Sequence, residues 1–388
     1  MAEKLAQETN NYFMFTHNDN LTLLTQEAPL KEKLISAHQA IKNKFPFVAR
    51  IAVTVYDPET RVLKTFLHSS GDDNPLAHYQ SLLDEAHSLK EILKKGKPRV
   101  VNNLVTFEDS RKKHAKRIGR QGYAASYTMP MFDQGNFFGF LFFNSYEADV
   151  FSESTLNDLD VYGHLISLMI ASDINIVKMI NAAVKTTGNI VHARDPETGS
   201  HLDRMSRYSR VIAAELAEKY HLDDEYIEHV FMFSPLHDIG KVAIPDNILL
   251  KPGKLTKEEQ EIMRTHTKKG RDMIDDLVKN FDLNTSNNIA ILMNIAEFHH
   301  EAVNGSGYPS GKKQDEIPLE ARIVAVADVF DALTSKRPYK KAWSNEDAID
   351  LLLKSAGETL DKDCVNALIK NRKSIELIQQ QFKENEIG

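Results

Sequence analysis

A chain of 388 residues is long enough for two or three domains, and 42% hydrophobic with 27% charged residues is the composition of a globular protein with a proper core. Lysine and arginine number 48 against 55 acidic residues, a net charge of -7. That balance argues against a nucleic-acid polymer bound nonspecifically to a basic face, and leaves room for a small anionic ligand held by a few local cations. The lone Cys364 excludes an intramolecular disulfide, so the 15 histidines must supply most of any soft-metal chemistry in what reads as a reducing compartment. The first residues lack the basic flank and apolar core of a signal peptide, and no apolar run approaches bilayer-spanning length, so a cytoplasmic protein without membrane insertion is expected.

In chain order, Ile51, Val53 and Val55 alternate with polar or small residues. Asp57-Pro58-Glu59-Thr60 follows as a turn and Val62 to Leu67 resumes an extended pattern, which predicts a hairpin in a half-buried antiparallel sheet. Residues 80 to 95 have helical spacing, and Arg99 to Leu104 reads as a short strand. Ala124 to Phe132 and Phe137 to Tyr146 flank the turn Asp133-Gln134-Gly135-Asn136, and the Phe-rich last strand is expected to lie centrally in the sheet. Ser152 is placed to cap a long helix, with Glu153 favouring its positive end. Along it Leu159, Tyr162, Ile166, Met169, Ile176, Ile180, Val184 and Thr187 fall near a 3.5-residue repeat interrupted by Asp173. That stripe suits either a dimer seam or a side docked on its own domain. The order of these elements, closing in FFGFLFFNSYEADVFSESTLNDLDVYGHLISLMI, resembles a GAF sensory domain, which implies an as yet unknown small ligand or signal.

From about residue 190 the pattern is almost wholly helical. Helices are predicted at Arg204 to Lys219, Asp224 to Leu236, Lys257 to Leu277, Asn288 to His300, Ala321 to Ser335 and Asn345 to Ser355. This half carries potential metal ligands: Glu197 and His201, His237-Asp238, His266, His299-His300 and Asp328. Imidazole with carboxylate suits borderline or hard transition metals, and the set exceeds one ion's needs. Asp328 lies within Ile323-Val324-Ala325-Val326-Ala327 and Asp238 follows an apolar face; an unpaired charge there would cost several kcal/mol, which a cation removes. Either carboxylate alone is explained more readily by a cap or a salt bridge, but the joint set is not.

The blocks ARDPETGSH, HDIGKVAIPDNILLKPGKLTKEE, EIMRTH, FHHEAVNGSGYPSG and ARIVAVADVFDALTSKRPYKKAWS resemble, in order and spacing, the signature of the HD-GYP family of cyclic dinucleotide phosphodiesterases over about residues 175 to 370. The resemblance implies a metal-dependent hydrolase of cyclic di-GMP, giving pGpG or, with a second cut, GMP, with two or three ions of iron or manganese. Carried over by position, Glu197, His201, His237, Asp238, His266, His299, His300 and Asp328 are the implied metal ligands, Asp238 the bridge and Glu197 the mark of a third ion. Lys241 falls where the family places a lysine near the scissile phosphate, Tyr308 would contact substrate from a glycine-rich loop, and Arg337 and Lys340 resemble its phosphate clamp. Taken alone, Arg337 and Lys340 read as a solvated basic turn, and a glycine-rich turn with Tyr308 as an ordinary loop.

Two departures stand out: Gly357-Glu358-Thr359-Leu360-Asp361-Lys362 replaces the family's Gly-Thr-His-Phe-Asp-Pro type of block, and Asn304 stands where many members have Asp. The remaining histidines, including His192, His221 and His229, match no family ligand and read as ordinary surface or core residues. The expected whole is multidomain: a GAF-like α+β domain with an antiparallel sheet over 1–153, a connecting helix over 154–190, and an all-α HD-superfamily helical bundle over 191–388, forming a homodimer. Competing functions are a cyclic dinucleotide receptor or scaffold with little turnover, and a hydrolase of cyclic GMP-AMP.

Overall fold

The structure, a computed structural model, describes residues 17–70, 78–104, 122–192, 199–280, 287–335 and 342–383. Its first half is built on a six-stranded sheet in the order β3-β2-β1-β6-β5-β4. The strands are β1 (Arg50–Asp57), β2 (Val62–Ser69), β3 (Gln80–Leu82), β4 (Arg99–Val101), β5 (Ala125–Asp133) and β6 (Asn136–Ser145), and every adjacent pair is antiparallel. Gln134 and Gly135 both adopt positive φ, 47° and 83°, the backbone that a two-residue hairpin turn of matching twist requires. The Phe-rich strand β6 is central, as its composition predicts.

Successive residues of a strand face opposite sides. Leu141 and Phe143 therefore join Ile51, Val53, Leu34 and Ile41 on one face, under α1 (Leu30–Lys44), while Phe140 joins Leu63, Leu89 and Ile92 on the other, under α2 (His87–Lys95). The sheet is thus covered on both faces at its centre, where the alternation in β1 suggests a half-buried one; Ala52 between Ile51 and Val53 is itself buried. A second difference lies at 80 to 95, where helical spacing spans what are two elements. Gln80–Leu82 is an edge strand paired with β2, Lys64 opposite Gln80, and the helix starts only at His87.

Helix α3 runs from Glu153 to His192. Ser152 caps it, its Oγ accepting from the Thr155 amide at 3.3 Å. Leu159 and Ile166 are buried against the sheet with Tyr162 and Met169 beside them, and Ile176 packs on the helical half, so the described part of the apolar stripe serves the chain's own cores. The side chains of Ile180, Val184 and Thr187 lie outside the described residues.

The second half is helical: α4 (Gly199–Tyr220), α5 (Asp224–Phe233), α6 (Asp246–Leu249), α7 (Lys257–Arg264), α8 (His266–Asn280), α9 (Asn287–Phe298), α10 (Leu319–Thr334), α11 (Asn345–Ser355), α12 (Lys362–Lys370) and α13 (Arg372–Gln381). Tyr208, Phe233, Ile295, Val324 and Phe330 are at its centre. Two expected helices are interrupted. α5 stops at Phe233, because Pro235 has no amide to continue the ladder, and the chain tightens into a 3-10 turn over Ser234–Leu236. The long helix expected at Lys257 to Leu277 breaks at Thr265, whose Oγ1 donates to the Ile262 carbonyl at 2.6 Å.

Charged side chains join the halves. Lys64 on β2 reaches Glu228 on α5 at 3.3 Å, Glu228 also accepts from Arg210 at 2.5 Å, and Arg207 reaches Glu59 at 2.6 Å.

Candidate metal centre

Asp238 stands just past the 3-10 turn, and three imidazoles, one adjacent in sequence and two distant, close on its carboxylate. Oδ2 lies 3.2 Å from His237 Nε2; Oδ1 lies 3.1 Å from His266 Nε2 and 3.6 Å from His299 Nε2. Ligand atoms of Asp238, His266, His299 and His300 fall within 4.8 Å of one another, and those of His201, His237 and Asp328 form a second such group. His201 comes from the first turns of α4, Asp328 from α10, His266 from the first position of α8, and His299-His300 directly follow α9.

The helix break at Thr265 makes His266 the start of α8 rather than the middle of one helix. Two glycines then let that start approach a second 3-10 turn, Ile239–Ala243. A Cβ on Gly240 would sit 1.9 Å from the His266 carbonyl oxygen and 2.5 Å from the Gly270 amide nitrogen, so only glycine lets Asp238 and His266 meet.

The outward nitrogen of each ring is already committed. His237 Nδ1 donates to the Ser234 carbonyl at 3.0 Å, His266 Nδ1 to Met263 at 2.8 Å and His299 Nδ1 to Ile295 at 2.9 Å. A carbonyl only accepts, so each Nδ1 carries the proton and each Nε2 turns a lone pair toward Asp238. His266 Nε2, His299 Nε2 and Asp238 Oδ1 are buried and form no hydrogen bond among the described residues. Buried acceptors pointed at one another are costly when empty-handed and suited to a shared cation.

Electrostatics favour the ligating forms. Burial raises the Asp238 carboxyl, but the Lys241 ammonium, 2.7 Å away, overrides it and holds the group well below the usual carboxylate range. Burial lowers His299, and burial with His299 as neighbour pushes His300 well below the ordinary imidazole value, so both rings stay neutral.

Tyr308 is presented by a fastened loop. Its amide donates to the His300 carbonyl at 3.1 Å, and the buried Glu301 carboxylate accepts from the Ser310 and Lys312 amides at 2.7 and 3.0 Å. Gly307 passes so close that a Cβ would lie 2.2 Å from the Ala302 nitrogen. The Tyr308 ring lies 4.8 Å from that of His300, and burial raises its phenol pKa. The divergent block from Gly357 holds this loop through its backbone: Val303 and Asn304 amides donate to the Thr359 and Glu358 carbonyls.

Two residues escape a motif reading. Asp331 accepts from His201 Nδ1 at 2.8 Å and from Arg204 at 2.7 Å; Glu301 anchors the loop. Asp331 lies three positions after Asp328 in the same apolar helix, and the argument from a buried carboxylate applies to it equally. Among the expected residues, Glu197, Arg337 and Lys340 lie outside the described residues. His229 is buried between Phe66 and Phe233, away from the cluster, in keeping with a core histidine.

Protein-family models match the chain as a GAF domain over residues 48–170 and an HD domain over residues 189–364. The cyclic di-GMP phosphodiesterase response regulator RpfG of Xanthomonas campestris pv. campestris is 44% identical over 192 residues, 50% of this chain and 48% of that protein. A probable cyclic di-GMP phosphodiesterase of Vibrio cholerae is 42% identical over 213 residues, 54% of this chain and 48% of that protein. The 3'3'-cGAMP-specific phosphodiesterase 2 of Vibrio cholerae is 38% identical over 188 residues, 48% of this chain and 34% of that protein. The chain spans half or less of the length of these relatives. Divalent-metal binding follows from the HD domain and the histidine and aspartate clusters together. No helix among the described residues is long and apolar enough to cross a membrane.

Proposed function

For a chain that joins a GAF domain to an HD domain, we propose metal-dependent hydrolysis of cyclic di-GMP to pGpG and onward to GMP. The observation that carries this is the ring of Nε2 atoms turned on Asp238, each Nδ1 tied to a carbonyl behind it. His266, His299, His300 and Asp238 would hold one ion and His201, His237 and Asp328 a second, with Asp238 shared between them. Glu197, four residues before His201 in the sequence, would serve a third ion. The donor set suits iron or manganese. When bound, such ions supply Lewis acidity that activates water and polarises a phosphoryl group.

The chain's own part is positioning. Lys241, beside Asp238, brings a positive charge to the phosphoryl oxygens; Tyr308 walls the site at the His300 side; Arg337 and Lys340 would clamp phosphate. The receptor reading is disfavoured, because binding alone needs no set of pre-oriented metal ligands. A cyclic GMP-AMP hydrolase is supported by the cGAMP-specific relative. A signal held by the GAF half would reach the helical half through α3 and the ion pairs that α4 and α5 make with it. The homodimer moves to the outward face of α3, where exposed Val161, Leu165 and Leu168 follow heptad spacing.

Elemental analysis of anaerobically purified protein, run beside turnover of cyclic di-GMP and cyclic GMP-AMP, tests the reading. Two to three transition-metal ions per chain with pGpG or GMP formed, and loss of both turnover and bound metal in Asp238→Asn and His300→Ala, are expected. Full rate in either variant would overturn the site, and inert metal-loaded protein that still binds the dinucleotide would favour a receptor.

A further inference from the structure

The break that starts α8 at His266 leaves Arg264 as the last residue of α7. Its guanidinium carbon lies 5.1 Å from the centroid of the Tyr308 ring, and that ring lies 4.8 Å from His300. The Tyr308 ring is thus in contact with both His300 of the metal cluster and Arg264. The Arg264 side chain is 47% exposed, so the cation faces solvent at the rim of the site rather than packing into the core. Its carboxylate partner is Glu261, one helical turn back at 3.1 Å and 71% exposed, an i,i+3 surface pair of the kind that contributes little and yields readily to a better acceptor.

Lys241 stands in a different position, 2.7 Å from Asp238 and within the cluster. A cyclic dinucleotide has two phosphodiester charges on opposite sides of its ring. With one at the metal cluster the other must point outward, to the level of the rim. A guanidinium suits that position, because it donates to two oxygens of one phosphate while its flat face stays on an aromatic ring.

We infer that Arg264, braced on Tyr308, binds the second, non-scissile phosphate of the substrate and so selects cyclic dinucleotides over simple phosphodiesters. This rests on the proposed phosphodiesterase activity. It differs from the clamp expected of Arg337 and Lys340 in coming from the helix that precedes His266.

The test uses the full chain, metal-loaded, with Arg264→Ala and Arg264→Lys. Cyclic di-GMP is compared with bis(p-nitrophenyl) phosphate, a phosphodiester without a second phosphate, and metal content is measured on the same samples. Loss of a charge-assisted contact should raise the KM of Arg264→Ala for cyclic di-GMP about tenfold or more, with kcat changed far less. Arg264→Lys should fall between, keeping charge and losing the fork. The KM for bis(p-nitrophenyl) phosphate should shift by a much smaller factor. An unchanged KM for cyclic di-GMP overturns the inference, as does an equal loss on both substrates in both variants, which would mark Arg264 as a brace for Tyr308 only. Wild-type protein that cleaves bis(p-nitrophenyl) phosphate but no cyclic dinucleotide would instead overturn the proposed activity, and the substrate contact with it, independently of any variant.

Discussion

Asp331 shows how much of the site depends on a residue that would touch no metal. Its carboxylate is fully buried and holds His201 Nδ1 at 2.8 Å, Arg204 Nε at 2.7 Å and the Ser335 hydroxyl at 2.8 Å. Burial alone would raise the Asp331 pKa, but the hydrogen bonds from His201 and Arg204 hold it below the ordinary value, so it is the charged form that orients the ring. Asp331→Asn keeps the shape and removes the charge. Carboxylates that hold the outer nitrogen of a metal-binding histidine typically account for about 10–100-fold in affinity, so the variant should bind one ion more weakly by that factor while keeping the Asp238 group. Chelator competition followed by elemental analysis checks this; equal retention of every ion would show that His201 needs no such support. The ligand candidates themselves were legible because histidine and aspartate at fixed offsets carry chemistry in their type. Asp331 and Glu301 were less so, since their roles lie in hydrogen bonds between elements distant in sequence.

At the scale of elements, amphipathic period identified most helices and the hairpins of the sheet, because one buried face per element is what that period records. It failed where two elements share one period or where a turn interrupts it. Residues 80 to 95 read as one helix although Gln80–Leu82 pairs with β2, and Lys257 to Leu277 read as one helix although Thr265 breaks it. The second failure matters for function, since the break both starts α8 at His266 and ends α7 at Arg264. The approach of that start to the Ile239–Ala243 turn gives an element-scale prediction. In Gly240→Ala the new methyl group meets backbone on both sides, at 1.9 Å from the His266 oxygen and 2.5 Å from the Gly270 nitrogen, and no rotamer relieves it. Overpacking of this kind costs about 1–3 kcal/mol, and relief by pushing α8 outward separates His266 from Asp238. The variant should melt at lower temperature and lose metal even where it remains folded; wild-type metal content in a folded variant would show that the cluster tolerates the displacement.

The whole molecule is held by charges that cross between its halves, and they set how its stability responds to pH. His78, 2.9 Å from Asp224 on α5, has its pKa raised above 6.5 by that hydrogen bond. A folded-state pKa above the unfolded one gives stability fully present below the ordinary value and lost as pH rises through the raised one. His78→Asn, which tolerates the positive φ of 55° there, should therefore lower the melting temperature more at pH 5.5 than at pH 8.5. The pair is partly exposed, so the difference should stay under about 1 kcal/mol. Lys64 and Glu228 are a stronger case, since both are buried, at 5% and 4% exposure. Burial lowers the Lys64 ammonium and would raise the Glu228 carboxyl, but Arg210 and Lys64 keep Glu228 below the usual range and thus charged. Removing Lys64 leaves that carboxylate with Arg210 as its remaining close cation, and breaking a buried pair from one side costs about 3–5 kcal/mol. Lys64→Met should accordingly destabilise the chain by an amount approaching that range. Lys64→Met with Glu228→Gln should recover part of the loss, because the two charges of the pair leave together while Arg210 loses Glu228 and Asp57 loses Lys64. Chemical denaturation of the wild type, the two single variants and the double variant closes the cycle. Additive losses would mean the two side chains do not act on each other across the interface. Strong coupling, with the GAF half unfolding ahead of the helical half only in Lys64→Met, would identify the contact as the one that makes the two domains melt as a unit, through the same helix α5 whose end leads into His237 and Asp238.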